Sequence, residues 1–199
     1  RGIANDATGI KAAVIAIVTS LEDDALRFDE GSLEVEDITE GNEYHGTRIR
    51  ITCFLGSIRN TIQVDIGFGD AVESPLREIE YPILVDGRAF SLLSYPLSTV
   101  IAEKFEAMVA LADINSRMKD FWDVAYLLEN YDIPDEELHR ALEATFLKRG
   151  TPRPAEPIVF SPEYMRSETA LVRWRAFLKR SHLPDKEWGR TLDVIRDRL

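Results

Sequence analysis

From Ser94-Tyr95-Pro96 onward, apolar residues recur at helical spacing to the end of this chain, whereas residues 47–66 follow a strand pattern. The change of period after these strands divides the fold into a sheet-bearing first part and a helical second part. The expected class is α+β: a small mixed or antiparallel sheet with flanking helices, then a helical C-terminal half. The corresponding division is a sheet-containing region 1–94 and a helical region 95–199.

In the first region, Ile10, Ala13, Val14, Ile17 and Val18 fall on one helical stripe, predicting a helix over residues 6–21. Leu33, Val35 and, after a slip, Ile38 mark a first strand. Residues 47–55 and 60–66 form a hairpin through Gly56-Ser57. In its second arm Ile62, Val64 and Ile66 face one way, and Gln63 and Asp65 the other. Residues 81–90 are short extended pieces about a turn at Asp86-Gly87. In the second region, Val100, Ile101, Phe105, Met108 and Leu111 form a buried stripe flanked by Lys104. A helix from residue 115 or 116 to 130 buries Phe121, Val124, Ala125 and Leu128. Pro134 opens a helix that ends before Gly150, and Ser161, Ser167 and Pro184 precede further helices. The stretch from Pro152 to Pro157 is an extended linker.

A net charge of −11 excludes indiscriminate binding to nucleic acid, which depends on cations that neutralise phosphates. Lys148, Arg149, Arg153, Arg166, Arg173, Arg175, Lys179 and Arg180 nevertheless load the C-terminal half, either as solvated helix faces or as a local basic surface for a polyanion, which an acidic chain allows. Cys53 has no cysteine partner and sits in an apolar strand, as a small core residue would. No apolar run reaches the roughly 18 residues of a membrane span, so no membrane partner and a cytoplasmic location are expected.

The residues that could carry chemistry are few. Asp65 projects from a strand on its polar side before Gly67 and Gly69, as a carboxylate holding a divalent cation would, although an ordinary hydrogen-bonding strand residue would sit there too. Lys104 could draw charge from a phosphate, although a lysine beside an apolar stripe is also an ordinary surface residue. Asp120 and Asp123 share one helix face near its start, where the helix dipole favours acids without any chemistry. Arg117 and Lys119 at the same helix start are unfavourable there and need partners. His45, His139 and His182 have no ligand-like spacing. No glycine-rich phosphate loop and no nucleophile elbow is present.

Tyr44 to Arg48, Ile62 to Asp70, Tyr95 to Ala107 with Ala102-Glu103-Lys104 at its heart, Ser116 to Asp123, Thr145-Phe146 with Arg149-Gly150-Thr151, and Trp174 to Leu178 together resemble the AbiEii/AbiGii toxin family. That family comprises nucleotidyltransferases related to the DNA polymerase β-type superfamily, found in toxin-antitoxin and abortive-infection systems. The resemblance implies transfer of a nucleotide from a nucleoside triphosphate with Mg2+ to an RNA (tRNA in some members) or protein acceptor, and a cognate antitoxin. Asp65 would be a metal-site carboxylate. Lys104 would contact the nucleotide phosphates, helped by Arg117 and Lys119. Asp120 would be a further catalytic carboxylate, with Asp123 its companion.

One motif of the family is missing from residues 1–199: a Gly-Ser or Gly-Gly turn followed by an Asp-x-Asp strand. The nearest imitation, Gly31-Ser32 followed by Glu34-Val35-Glu36, is spaced too tightly and is expected to be an edge or solvent-facing strand. The first helix corresponds to the one after that motif. The expectation is therefore either an enzyme whose catalytic strand lies before Arg1 or a non-catalytic relative that binds RNA or protein.

Overall fold

The computed structural model describes residues 6–20, 25–40, 44–68, 75–83 and 87–199. The chain is α+β, with antiparallel sheets and a helical C-terminal half. It divides into two units, Arg1–Gly69 and Asp70–Leu199, a boundary earlier than the one drawn at residue 94. The difference is the second hairpin, which joins the helical unit: its Arg77 reaches Glu137 at 3.4 Å.

In the first unit, helix α1 (Ala7–Val18) starts at Asp6, whose carboxylate accepts from the Gly9 N–H at 2.7 Å. Strands β1 (Leu26–Glu40), β2 (Tyr44–Leu55) and β3 (Ile58–Gly67) pair antiparallel in the order β1-β2-β3. Ile49 stands opposite Val64 and Ile51 opposite Ile62, while Arg48 opposes Asp65 on the other face. Ile10, Leu33, Ile49 and Ile51 form the buried core, with Val14, Val18, Val35 and Ile66 packed around it. Cys53 is buried beside them in sequence, as a small strand residue. Ile62 and Val64, on the open strand β3, stay exposed.

Strand β1 begins at Leu26, earlier than the apolar pattern predicts, because the irregularity lies between Asp29 and Glu34 instead of before Ile38. The Ser32 hydroxyl donates to the Asp29 carbonyl at 2.6 Å and accepts from the Thr52 N–H at 2.9 Å, which fixes this bulge. Gly31-Ser32 is thus a bulge, and the Glu34-Val35-Glu36 strand lies at the sheet edge, as expected. Gly46 sits where chains press together: a Cβ there would lie 2.9 Å from the Ile66 carbonyl oxygen and 2.9 Å from Ile38.

In the second unit, β4 (Arg77–Pro82) and β5 (Ala89–Ser94) form a two-stranded antiparallel hairpin. The turn residue Asp86 lies outside the described residues; Gly87 has φ 69°. Six helices follow: α2 (Leu97–Leu111), α3 (Met118–Asn130), α4 (Asp135–Arg149), α5 (Pro162–Met165), α6 (Glu168–Arg180) and α7 (Trp188–Arg196). Helix α3 begins two or three residues later than predicted, because Asn115 Oδ1 holds the Arg117 N–H at 2.7 Å in a turn. Phe105, Phe121, Tyr164, Trp174 and Trp188 fill the core, with the Phe121 and Trp188 rings 5.0 Å apart.

Candidate functional site

Helix α2 buries Ile101, Ala102, Phe105 and Met108, so residues 103 and 104 emerge on opposite flanks of its buried stripe. Consecutive helical residues differ by about 100° in direction, and the two side chains go to different neighbours. Glu103 turns to α4, where Arg149 pairs with it and the Thr145 hydroxyl donates to it at 3.3 Å. Lys104 turns to the first turns of α3.

There the ammonium of Lys104 lies 2.7 Å from Asp120 Oδ1 and 2.8 Å from Asp123 Oδ2. Arg117 Nε approaches Asp120 Oδ2 at 2.9 Å, close enough to pair charges but not aligned for a hydrogen bond. Lys119 pairs with Asp123 across one helical turn. The helix-start cations therefore have the partners that their position demands. Burial pulls the Lys104 pKa down, but its hydrogen bonds to Asp120 and Asp123 and their charges outweigh that, leaving it above the ordinary lysine value.

Asp65 belongs to the first unit, on the polar face of β3. Arg48 Nε and Nη2 donate to its two oxygens at 2.8 and 2.7 Å, and Gln63 lies 3.5 Å away. These Arg48 hydrogen bonds hold its carboxyl below the usual aspartate value against a small opposing effect of desolvation. Lys104, Asp120, Asp123, Arg117 and Lys119 thus come together in one cluster, and Asp65 keeps a separate set of partners within its own unit.

Neither environment fits a resident divalent cation as it stands. The α2–α3 cluster sets three cations against two carboxylates, and a metal ion there would have to displace them. Asp65 offers a single carboxylate already bridged by a guanidinium. Among the described residues, no group of three histidine, cysteine or acidic side chains could hold a metal. What the α2–α3 cluster can do is present a charged, partly exposed ammonium in a setting of net positive charge, suited to an anion.

Some residues beside the site carry no signal that periodicity could reveal. Asn115 is fully buried, and its backbone carbonyl accepts from Arg173 Nη1 at 3.1 Å, tying α6 to the start of α3. Glu106 is buried between Arg149 and Thr151. The four-residue spacing of Thr145 and Arg149 is the one hint that both face α2.

No curated protein and no solved structure matches the chain. A family described as "Nucleotidyl transferase AbiEii toxin, Type IV TA system" matches residues 2–194, nearly its whole length. No helix among the described residues is long and apolar enough to cross a membrane. The chain belongs to the AbiEii family of nucleotidyltransferase toxins of type IV toxin-antitoxin systems.

Proposed function

We propose that this protein transfers a nucleotide from a nucleoside triphosphate to an RNA acceptor such as tRNA, acting as a toxin restrained by a cognate antitoxin in the cytoplasm. The observation that carries this reading is the Lys104 ammonium held between Asp120 and Asp123. Anchored this way it stays charged and oriented, as a group that receives a triphosphate must. In the transfer, the acceptor hydroxyl oxygen bonds to the α-phosphorus, the bond from that phosphorus to the bridging oxygen breaks, and pyrophosphate leaves. Lys104, with Arg117 and Lys119, would neutralise the charge that builds on the departing phosphates. Asp120, with Asp123 beside it, is our candidate to take the hydroxyl proton. Mg2+ is the counter-ion the family implies. The resemblance gives Asp65 to it, but Arg48 already clasps that carboxylate and the described carboxylates form no cage, so no step is routed through the metal.

The second reading is a non-catalytic member that binds RNA or protein, and the two-point clasp of Arg48 on Asp65 favours it. The experiment that separates them is label transfer from each α-labelled nucleoside triphosphate to total tRNA in the presence of Mg2+. The enzyme reading expects label with one or more nucleotides and a loss on the order of 100-fold in Lys104→Ala. Equal labelling by both proteins would remove Lys104 from the reaction. No labelling, with triphosphate still bound, would favour the binding module.

A further inference from the structure

Three arginines of the helical unit line one cavity whose lining does not include Lys104. Residues from the 3-10 turn Ile158–Phe160 and from α5, α6 and α7 line an open cavity of about 570 Å3. Its polar lining is Arg166, Arg175 and Arg196 against one carboxylate, Glu187, and its apolar wall includes Phe160 and Trp188. Arg196 is held by Asp193 at 2.7 Å. Arg166 and Arg175 have no ion-pair partner among the described residues.

This group of cations stands in a chain of net charge −11. Arg77, Arg117, Arg140, Arg149, Arg196 and Arg198 of this unit pair with carboxylates, whereas Arg166 and Arg175 do not among the described residues and line the same cavity. Two left without partners at the mouth of one cavity fit an occupant that brings its own negative charge. The volume lies within the range of about 300–1,000 Å3 typical of small-molecule sites, enough for one nucleotide and too small for a duplex. The arginines suit phosphates, and the Phe160 side suits a base.

We propose that this cavity holds a nucleotide of single-stranded RNA, and that Arg166 and Arg175 contact its phosphates. The choice of RNA as the polyanion rests on the function proposed above; the anion site itself does not. Phe160 stacks on Phe105 with ring centres 5.8 Å apart, and Phe105 directly follows Lys104 in α2. The aromatic wall of the cavity is therefore packed on the helix that carries the lysine.

The test uses the full chain and a short fluorescein-labelled single-stranded RNA, read by anisotropy over a salt series. Arg166→Gln with Arg175→Gln is compared with Lys148→Gln and Arg180→Gln, which remove two exposed cations not among the cavity's lining residues. The cavity pair should weaken binding by about tenfold or more, and the control pair by much less. At about 0.7 per phosphate contact on a single strand, the log–log salt slope should fall by about 1.4 in the cavity pair. Thermal melts should match wild type, since the replaced arginines are exposed. Equal weakening by both pairs, no binding by wild type, equal binding of the duplexed probe, or equal competition by polyglutamate would overturn the proposal. Label transfer run alongside keeps the two readings apart. Transfer that persists while binding ignores the arginines sinks only this site. Arginine-dependent binding without transfer sinks only the enzyme.

Discussion

Lys104 shows how a residue with an ordinary sequence context acquires a defined state. Its neighbours predict only a lysine beside an apolar stripe; its pKa is raised because two carboxylates on another helix outweigh burial. A raised folded-state pKa stabilises the protein fully below the unfolded value of 10.5 and loses that contribution as pH rises through the folded value. Wild type should therefore lose urea resistance above that pH more steeply than Lys104→Met, and parallel pH curves would refute the coupling. Near neutral pH the same substitution should cost about 2 kcal/mol by leaving Asp120, which is buried, short of a partner. Tyr164 presents the opposite case. Its hydroxyl is buried without a hydrogen-bond partner among the described residues, and burial first, with Arg173 opposing and Asp113 adding to it, pushes its pKa to about 12. Tyr164→Phe should raise the melting temperature, stabilising by about 1 kcal/mol, since it removes an unmatched polar group and keeps the ring. A lower Tm would mean that the hydroxyl has a partner in solution.

At the scale of elements, helix ends were more legible than sheet register. Pro134 and Gly150 mark the limits of α4, and Gly150 closes it with φ 64° while the Thr151 N–H bonds the Phe146 carbonyl at 3.1 Å and the Gly150 N–H that of Leu147 at 3.2 Å. This is a Schellman closure, which needs a left-handed residue. Gly150→Ala should cost about 1 kcal/mol in chemical denaturation with an unchanged far-ultraviolet helix signal. No measurable cost would show that α4 ends differently. The strands were harder. A bulge resets the face on which side chains point, and the one in β1 depends on a serine bonded to a neighbouring strand, a partner that the local pattern of β1 does not contain. The alternation in β3 did put Asp65 on the polar face, where Arg48 meets it.

Over the whole molecule, each unit has its own core. The first is small, centred on Ile10, Leu33, Ile49 and Ile51; the second gathers nearly all the large aromatic residues. Residues 70–199 expressed alone should therefore melt cooperatively with a helical circular dichroism spectrum, and a non-cooperative melt would show that the first unit is needed to complete the core. The change of hydrophobic period along the chain determined the α+β class, the hairpin and nearly every helix, because those depend on spacing between near neighbours. The pairing of Lys104 with Asp120 and Asp123, the diversion of Glu103 to Arg149, the bulge at Ser32 and the meeting of Arg166, Arg175 and Arg196 at one cavity were decided only in three dimensions. Each depends on which side chain from a distant segment arrives within a few ångströms, and that follows from how helices and strands pack, which no local pattern encodes.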